Sequence, residues 1–298
     1  MFLEKANKGE NQWYRYVLTL AITFIAVQIA SVPILLYSIY MNTGSILQSN
    51  SLTVPNTNPG LALVLFPFAV GVISLLVCVK FIHQKKPTDI LTGRNRFDTS
   101  RFLFGAGIWS IITLLSMLPQ YFLSNKSELL FQFEPLPFII MCVIIITLIP
   151  FQVAFEEFIF RGYLMQGFAL LFKYRWIAVL ITGVIFGLLH SSNPEVERFG
   201  YFNAMSQYIL MGLILGYIAV KDDGVELALG LHFANNALAS ILVTHDSAAL
   251  QTHALFKDLN PTSSYWDPII ILVGGVLFIW ICNSKYHFFP KINIWKKI

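Results

Sequence analysis

Long apolar runs are the feature that most constrains how this chain can fold. A helix needs about 20 apolar residues to cross the hydrocarbon core of a membrane, and runs of that kind recur along the whole sequence. Eight candidate spans lie near Tyr16–Met41, Leu61–Ile82, Phe102–Leu123, Leu136–Phe155, Trp176–Leu189, Asn203–Val220, Val225–Val243 and Pro268–Cys282. The sequence therefore predicts an all-α, polytopic membrane protein with about eight transmembrane helices.

The amino-acid composition argues against a soluble protein. Hydrophobic residues make up 56% of the 298 residues and charged residues only 12%, whereas a soluble domain averages about 45–50% apolar and about 25% charged residues. The 15% aromatic content is too high for a disordered chain. Because charges are scarce, the position of each one is informative.

Lys and Arg in the connecting segments predict the orientation, since cytoplasmic loops carry an excess of both. With a cytoplasmic N-terminus, only Lys126, Arg198 and Lys257 fall in outer segments, which leaves 17 of the 20 basic residues inside. We therefore expect both termini in the cytoplasm and, from the loop lengths and basic tails, a bacterial inner (plasma) membrane. Anionic lipid explains the net charge of +4, so we expect the lipid bilayer as a partner and no nucleic acid.

A group of charges interrupts the fourth apolar run. An ionisable residue inside a span costs about 2.5–3.5 kcal/mol and by default marks function. Glu157 and Arg161 are four residues apart, so they share a helix face and can pair. Glu156 is rotated about 100° from Glu157 and is expected to face elsewhere, free for chemistry. The alternative is an ordinary ion pair at a helix end.

Two histidines and an asparagine interrupt later spans. His190 ends the fifth run, and His232 and Asn236 share one face of the seventh. From the turn near residue 174, Glu156 and His190 lie about 27 and 24 Å away along their helices, so they can meet across a hairpin. His232 and Asn236 can approach from a third helix, although each could also be a buried interhelical hydrogen-bonding residue.

Such a convergence permits hydrolysis of an amide bond. A carboxylate and an imidazole can together activate a water molecule, and partial desolvation suits Glu156 to exchange a proton near neutrality. A second imidazole and a side-chain amide, from His232 and Asn236, can stabilise an oxyanion. The same residues Glu156, His190 and His232 could instead bind a divalent metal such as zinc. The residues alone leave open whether a metal is needed.

Three motifs occur in a fixed order within these apolar helices. They are Glu-Glu-x-x-x-Arg at Glu156, Glu157 and Arg161, Phe-x-x-x-His at Phe186 and His190, and His-x-x-x-Asn at His232 and Asn236. This arrangement resembles the CPBP family of intramembrane proteases, which groups CAAX prenyl endopeptidases with bacteriocin-processing and immunity proteins. The resemblance implies an eight-helix endopeptidase that cleaves a membrane-associated or lipidated peptide or protein.

The resemblance also implies a role for each motif residue. Glu156 would activate water with help from His190, His232 and Asn236 would form the oxyanion site, and Glu157 and Arg161 would support them. The motifs predict a catalytic core at 136–244, preceded by three helices and a basic loop at 1–135 and followed by an outer loop, a last helix and a basic tail at 245–298. A non-catalytic immunity or scaffold protein of the same fold, or a proton-coupled transporter, is an alternative.

Overall fold

Helices make up almost all of the regular structure in the computed structural model, which describes residues 1–41, 56–123, 128–288 and 292–298. The α-helices are α1 Trp13–Ala30, α2 Val32–Met41, α3 Asn58–Phe81, α4 Thr99–Leu123, α5 Pro135–Glu157, α6 Met165–Phe172, α7 Arg175–Leu188, α8 Pro194–Phe199, α9 Tyr201–Asp222, α10 Glu226–Leu242 and α11 Asp267–Tyr286. Short 3-10 helices span Leu3–Asn7 and Pro87–Ile90, and a π-helix spans Phe158–Leu164. The predicted all-α class is confirmed.

The number of spans is smaller by length than the eight predicted. Among the described residues, six helical segments are long and apolar enough to cross a membrane, the fourth being the continuous segment Pro135–Phe172 that joins α5 to α6. The remaining two predicted runs are the helices α7 and α10, of 14 and 17 residues. Both are shorter than the about 20 residues of a full span, so eight is an approximate count.

The outer helices expose the side chains that a membrane would cover. Phe24, Ile146 and Trp280 are 64%, 63% and 63% exposed, and soluble proteins rarely expose contiguous apolar surface of this kind. Inside this layer, α10 packs against α4, α5 and α9, while α7 packs against α9 and α6. The two short helices therefore belong to the interior of the bundle.

Small residues allow the interior helices to approach closely, as is usual in membranes. A Cβ atom added to Gly212 of α9 would lie 2.5 Å from the carbonyl oxygen of Gly183 in α7. A Cβ atom at Gly230 of α10 would lie 2.2 Å from the carbonyl oxygen of Phe102 in α4. Neither position tolerates a side chain, and both contacts draw the site-bearing helices together.

Both chain termini lie at the same end of the bundle. The backbone N–H of Phe2 donates to Asp223 in the turn before α10, and Arg175 at the start of α7 donates to the carbonyl of Asn293 at 3.0 Å. This arrangement agrees with the even number of crossings expected from the sequence. Which end faces the cytoplasm stays a prediction, and Lys126 lies outside the described residues.

A small sheet occupies the opposite end. Strands β1 Leu129–Phe131, β2 Val243–Thr244 and β3 Phe256–Asp258 lie in the order β1-β3-β2, with β1 antiparallel and β2 parallel to β3. Because β1 shortly precedes α5 and β2 directly follows α10, the sheet ties together the two helices that carry Glu156 and His232.

Candidate active site

The predicted ion pair between Glu157 and Arg161 forms and is fully buried. Arg161 Nη1 donates to Glu157 Oε1 at 2.7 Å, and both side chains are 0% exposed. Arg161 Nη2 donates to the carbonyl of Gly212 at 3.2 Å, and its guanidinium lies 4.3 Å from the ring centroid of Phe186. The π-helix that carries Arg161 is a local geometry often found at functional sites. Arg161 thus links α5 to α7 and α9.

His232 lies between the two adjacent glutamates. Its Nδ1 is 2.8 Å from Glu157 Oε1, and its Nε2 is 3.7 Å from Glu156 Oε2. Glu156 and Glu157 were expected to face different surroundings, but both lie beside the same imidazole. The rotation of about 100° per residue does turn the two side chains apart, but α10 packs against α5 and places one imidazole within reach of both.

Asn236 joins this group through a residue that the motifs do not include. Asn236 Nδ2 donates to Gln152 Oε1 at 2.9 Å and approaches His232 Nε2 at 3.3 Å. Gln152 in turn donates from Nε2 to Glu156 Oε1. A signal for Gln152 was present in the sequence, since it is a polar residue one helical turn before Glu156 in an otherwise apolar run.

Two carboxylate oxygens in the site lack hydrogen bonds. Glu156 Oε2 and Glu157 Oε2 are buried and have no hydrogen-bonding partner among the described residues. A buried polar atom without a partner is costly and calls for an explanation such as a catalytic role. Glu156 is the less enclosed of the two, with 14% of its side chain exposed against 0% for Glu157.

His190 makes its contacts with Phe186 and Tyr208. It follows the last turn of α7, where its Nδ1 lies 2.7 Å from the carbonyl oxygen of Phe186 and its ring stacks on Tyr208 at 4.6 Å. Within the described residues, no nitrogen–oxygen contact of 4 Å or less joins His190 to Glu156. The ring centroid of Phe186 lies 4.6 Å from that of His190 and 5.9 Å from that of His232. The structure thus brings Glu156, His232 and Asn236 into one group, whereas the contacts of His190 are with Phe186 and Tyr208.

The predicted metal ligands do not fit a metal ion as placed. The Nδ1 atom of His190 lies beside the carbonyl oxygen of Phe186, and that of His232 lies beside Glu157 Oε1. An oxygen at the second ring nitrogen is typical of metal-binding histidines. However, no three His, Cys, Asp or Glu side chains in the part of the chain that the structure describes are grouped closely enough to hold a metal. We therefore derive no catalytic step through a metal.

Comparison with known families matches one segment of the chain. Residues 135–238 match the family model described as "Type II CAAX prenyl endopeptidase Rce1-like". This segment runs from the start of α5 almost to the end of α10 and contains all six polar motif residues. The match confirms the resemblance that the three motifs suggested.

A curated relative matches over nearly the whole chain. It is the "Uncharacterized protein YyaK" of Bacillus subtilis (strain 168), which is 26% identical over 285 residues covering 94% of each chain. No solved structure matches significantly. The resemblance to the family therefore rests on the sequence of the segment at 135–238, and the arrangement of its polar residues comes from the geometry above.

Proposed function

We propose, taking the Rce1-like domain at residues 135–238 as the premise, that this integral membrane protein is an intramembrane endopeptidase. It would hydrolyse a peptide bond in a membrane-associated or lipidated peptide or protein. One observation carries the proposal: Glu156 Oε2, a buried carboxylate oxygen without a hydrogen bond, lies 3.7 Å from the imidazole of His232 with the amide of Asn236 beside it.

Glu156 is the proposed general base. A water molecule that donates to Glu156 Oε2 can pass its proton there while its oxygen attacks the scissile carbonyl. Glu156 then returns the proton to the leaving amine. Gln152 holds the other oxygen, Oε1, in place, so the reactive oxygen has a fixed direction. No serine or cysteine nucleophile is needed.

Asn236, beside His232, forms the proposed oxyanion site. The carbonyl oxygen becomes negatively charged as water attacks, and a preorganised N–H donor in a poorly hydrated site can lower that barrier by about 2.7–4 kcal/mol. The Glu157–Arg161 ion pair supports this site, because Glu157 Oε1 binds both Arg161 and His232. His190 stays a predicted assistant to Glu156.

The surrounding membrane fits this reaction. A site enclosed by apolar helices excludes bulk water and strengthens the hydrogen bonds that stabilise charge. We place the protein in the plasma membrane of a bacterium with both termini in the cytoplasm, as the distribution of Lys and Arg suggests. Its partners would be the lipid bilayer and the peptide or lipidated protein that it cleaves.

Cleavage of a peptide library tests the proposal. Wild type and Glu156→Ala would be purified in detergent and incubated with hydrophobic and prenylated peptides, with products identified by mass spectrometry. We expect cleavage by the wild type and none by Glu156→Ala. Glu197→Ala is the matched control, because Glu197 is an exposed glutamate of α8 and its removal should leave the rate unchanged.

Two results would contradict the proposal in different ways. Cleavage retained by Glu156→Ala would show that Glu156 is not the base. Peptides that bind to both proteins without being cleaved would instead favour the non-catalytic immunity or scaffold protein.

A further inference from the structure

A chain of side-chain hydrogen bonds continues beyond the motif residues into α4. Trp109 Nε1 donates to Asn235 Oδ1 at 3.3 Å, and Asn235 Nδ2 donates to Asn236 Oδ1 at 3.1 Å. From Asn236 the chain passes through Gln152 to Glu156 Oε1. Five side chains on three helices are thus connected, and three of them, Trp109, Asn235 and Gln152, lie outside the three motifs.

The two ends of this chain fix its direction. The indole N–H of Trp109 can only donate, and an ionised carboxylate such as Glu156 can only accept. Every amide between them must therefore accept through its oxygen and donate through its nitrogen. The donor at one end and the acceptor at the other therefore determine which atom of each of the three side-chain amides is oxygen and which is nitrogen, an assignment that has to be made from the hydrogen-bond network.

The direction of the chain determines the protonation of His232. Asn236 uses one N–H on Gln152 and turns the other towards His232 Nε2 at 3.3 Å. His232 Nε2 therefore accepts, and the ring proton lies on Nδ1, where it is donated to Glu157 Oε1 at 2.8 Å. In this arrangement the Nε2 atom, which faces Glu156, accepts from Asn236 and carries no proton.

We propose that Trp109, Asn235 and Gln152 are positioning residues that act through this one-way chain. They orient the Asn236 amide so that one N–H is held by Gln152 and the other points to His232 Nε2, and they hold His232 as the Nδ1–H tautomer. The N–H that Asn236 turns towards His232 at 3.3 Å is then the donor that an oxyanion would take over on binding. The effect on cleavage rests on the proposed function, whereas the tautomer does not.

Nitrogen NMR of the full chain in detergent, with ¹⁵N-labelled histidine, tests the tautomer without any substrate. The His232 signal would be assigned by its loss in His232→Gln. We expect a protonated Nδ1 and a bare Nε2 in the wild type, and a shifted or broadened signal in Trp109→Phe. The control Trp280→Phe, at a lipid-exposed position of α11, should leave the signal unchanged. A protonated Nε2 in the wild type, or no response to Trp109→Phe, would overturn the proposal.

Kinetics with a farnesylated fluorogenic CAAX peptide test the positioning role. Gln152→Met removes the donor to Glu156, so we expect kcat to fall by up to about 10²-fold at every pH with KM little changed, since a misplacement of about 1 Å in a reacting group can cost that much. Gln152→Glu can donate only when protonated, so its rate relative to wild type should recover as the pH is lowered. The control Gln28→Met changes an exposed glutamine of α1 and should have no effect.

A residue that is merely structural would behave differently. Equal losses in Gln152→Met and Gln152→Glu at all pH values, or a change in KM alone, would refute the positioning role. Asn235→Leu should lower kcat in the wild type but not in an Asn236→Ala background. The effects of residues that act through one another are not additive. If the wild type cleaves no peptide, the proposed function fails, and the tautomer measurement still decides this inference.

Discussion

Two clusters of buried charge differ in how completely their hydrogen bonds are satisfied. The turn cluster, at the turn between α9 and α10, consists of Arg94, Arg101, Asp222 and Glu226. The site cluster consists of Glu156, Glu157, Arg161 and His232. Three of the four carboxylates, those of Asp222, Glu226 and Glu157, are 0% exposed. Burial alone therefore does not distinguish a structural cluster from a reactive one.

In the turn cluster every carboxylate oxygen has a donor. Arg94 Nη2 donates to Glu226 Oε2 at 2.6 Å and to Asp222 Oδ2 at 3.2 Å, and Arg101 donates to Asp222 Oδ1. Glu226 Oε1 accepts from Arg94 Nε and from the backbone N–H of Asp98. A network satisfied in this way fixes one arrangement of its helices.

In the site cluster the bonding is incomplete. Glu156 and Glu157 each have one oxygen without a hydrogen bond among the described residues, whereas the guanidinium Nε atoms of Arg161 and Arg101 lack one in both clusters. A carboxylate oxygen with no donor is free to bind a reactant, whereas the oxygens of Asp222 and Glu226 already accept hydrogen bonds from Arg94 or Arg101. The comparison therefore predicts that changes in the site cluster affect the reaction and changes in the turn cluster affect folding.

The largest expected effect is that of Glu156→Gln on catalysis. We expect kcat to fall about 10²- to 10⁴-fold, the range for loss of a general base. The thermal unfolding midpoint should stay the same or rise, because the substitution removes a buried charge that lacks a full set of donors. Rates and unfolding curves of the same purified samples check both parts. A clear loss of stability would mean that the site cluster is structural like the turn cluster.

Asp222→Ala should show the opposite behaviour. Removal of one partner from a buried ion pair costs about 3–5 kcal/mol, because the remaining charge is left unpaired. Arg94 and Arg101 would both lose an acceptor, so the unfolding midpoint and the yield of folded protein should fall. The folded fraction should keep a wild-type kcat, and a lower kcat in that fraction would contradict the division between the clusters.

An exposed ion pair provides the control for that substitution. Asp246 is 82% exposed and pairs with Lys257 at 2.7 Å. Surface pairs contribute only about 0–1 kcal/mol. Asp246→Ala should therefore leave the unfolding midpoint nearly unchanged under the same conditions.

The sequence predicts what depends on one helix better than what depends on several. The spans, and the pairing of Glu157 with Arg161, follow from apolar periodicity and from i,i+4 spacing within continuous helical structure. The stacking of His190 on Tyr208 depends on how α7 packs against α9. The contacts of Trp109 with Asn235 and of Gln152 with Asn236 also cross from one helix to another, and no spacing within one segment reveals them.

Lys85 offers a smaller test, since it is a buried charge bonded mainly to neutral oxygens. It lies in the loop after α3, is 5% exposed, and donates to the carbonyl of Ala6 and to Asn11 Oδ1. Burial lowers the pKa of Lys85 to about 8, against the attraction of Asp89. In the unfolded chain the pKa is about 10.4.

The direction of the pH effect follows from these two values. Between about pH 8 and about pH 10.4 the unfolded chain holds the proton on Lys85 and the folded protein does not, so stability rises with pH. The gain is on the order of 3 kcal/mol at most, at 1.36 kcal/mol per pKa unit. Unfolding midpoints of wild type and Lys85→Met across this range check the prediction. The stability of the wild type relative to Lys85→Met should increase as the pH rises.

The smallest expected effect is that of a chelator, because the site cluster as placed holds no set of three metal ligands. Prolonged treatment with a strong chelator should leave kcat within about twofold of its value for untreated protein, a difference of about 0.4 kcal/mol. A loss of activity that added zinc restores would mean that His190, His232 and Glu156 converge on the metal in another arrangement. The incomplete bonding of Glu156 would then reflect a missing cation, and its contrast with the turn cluster would need a different explanation.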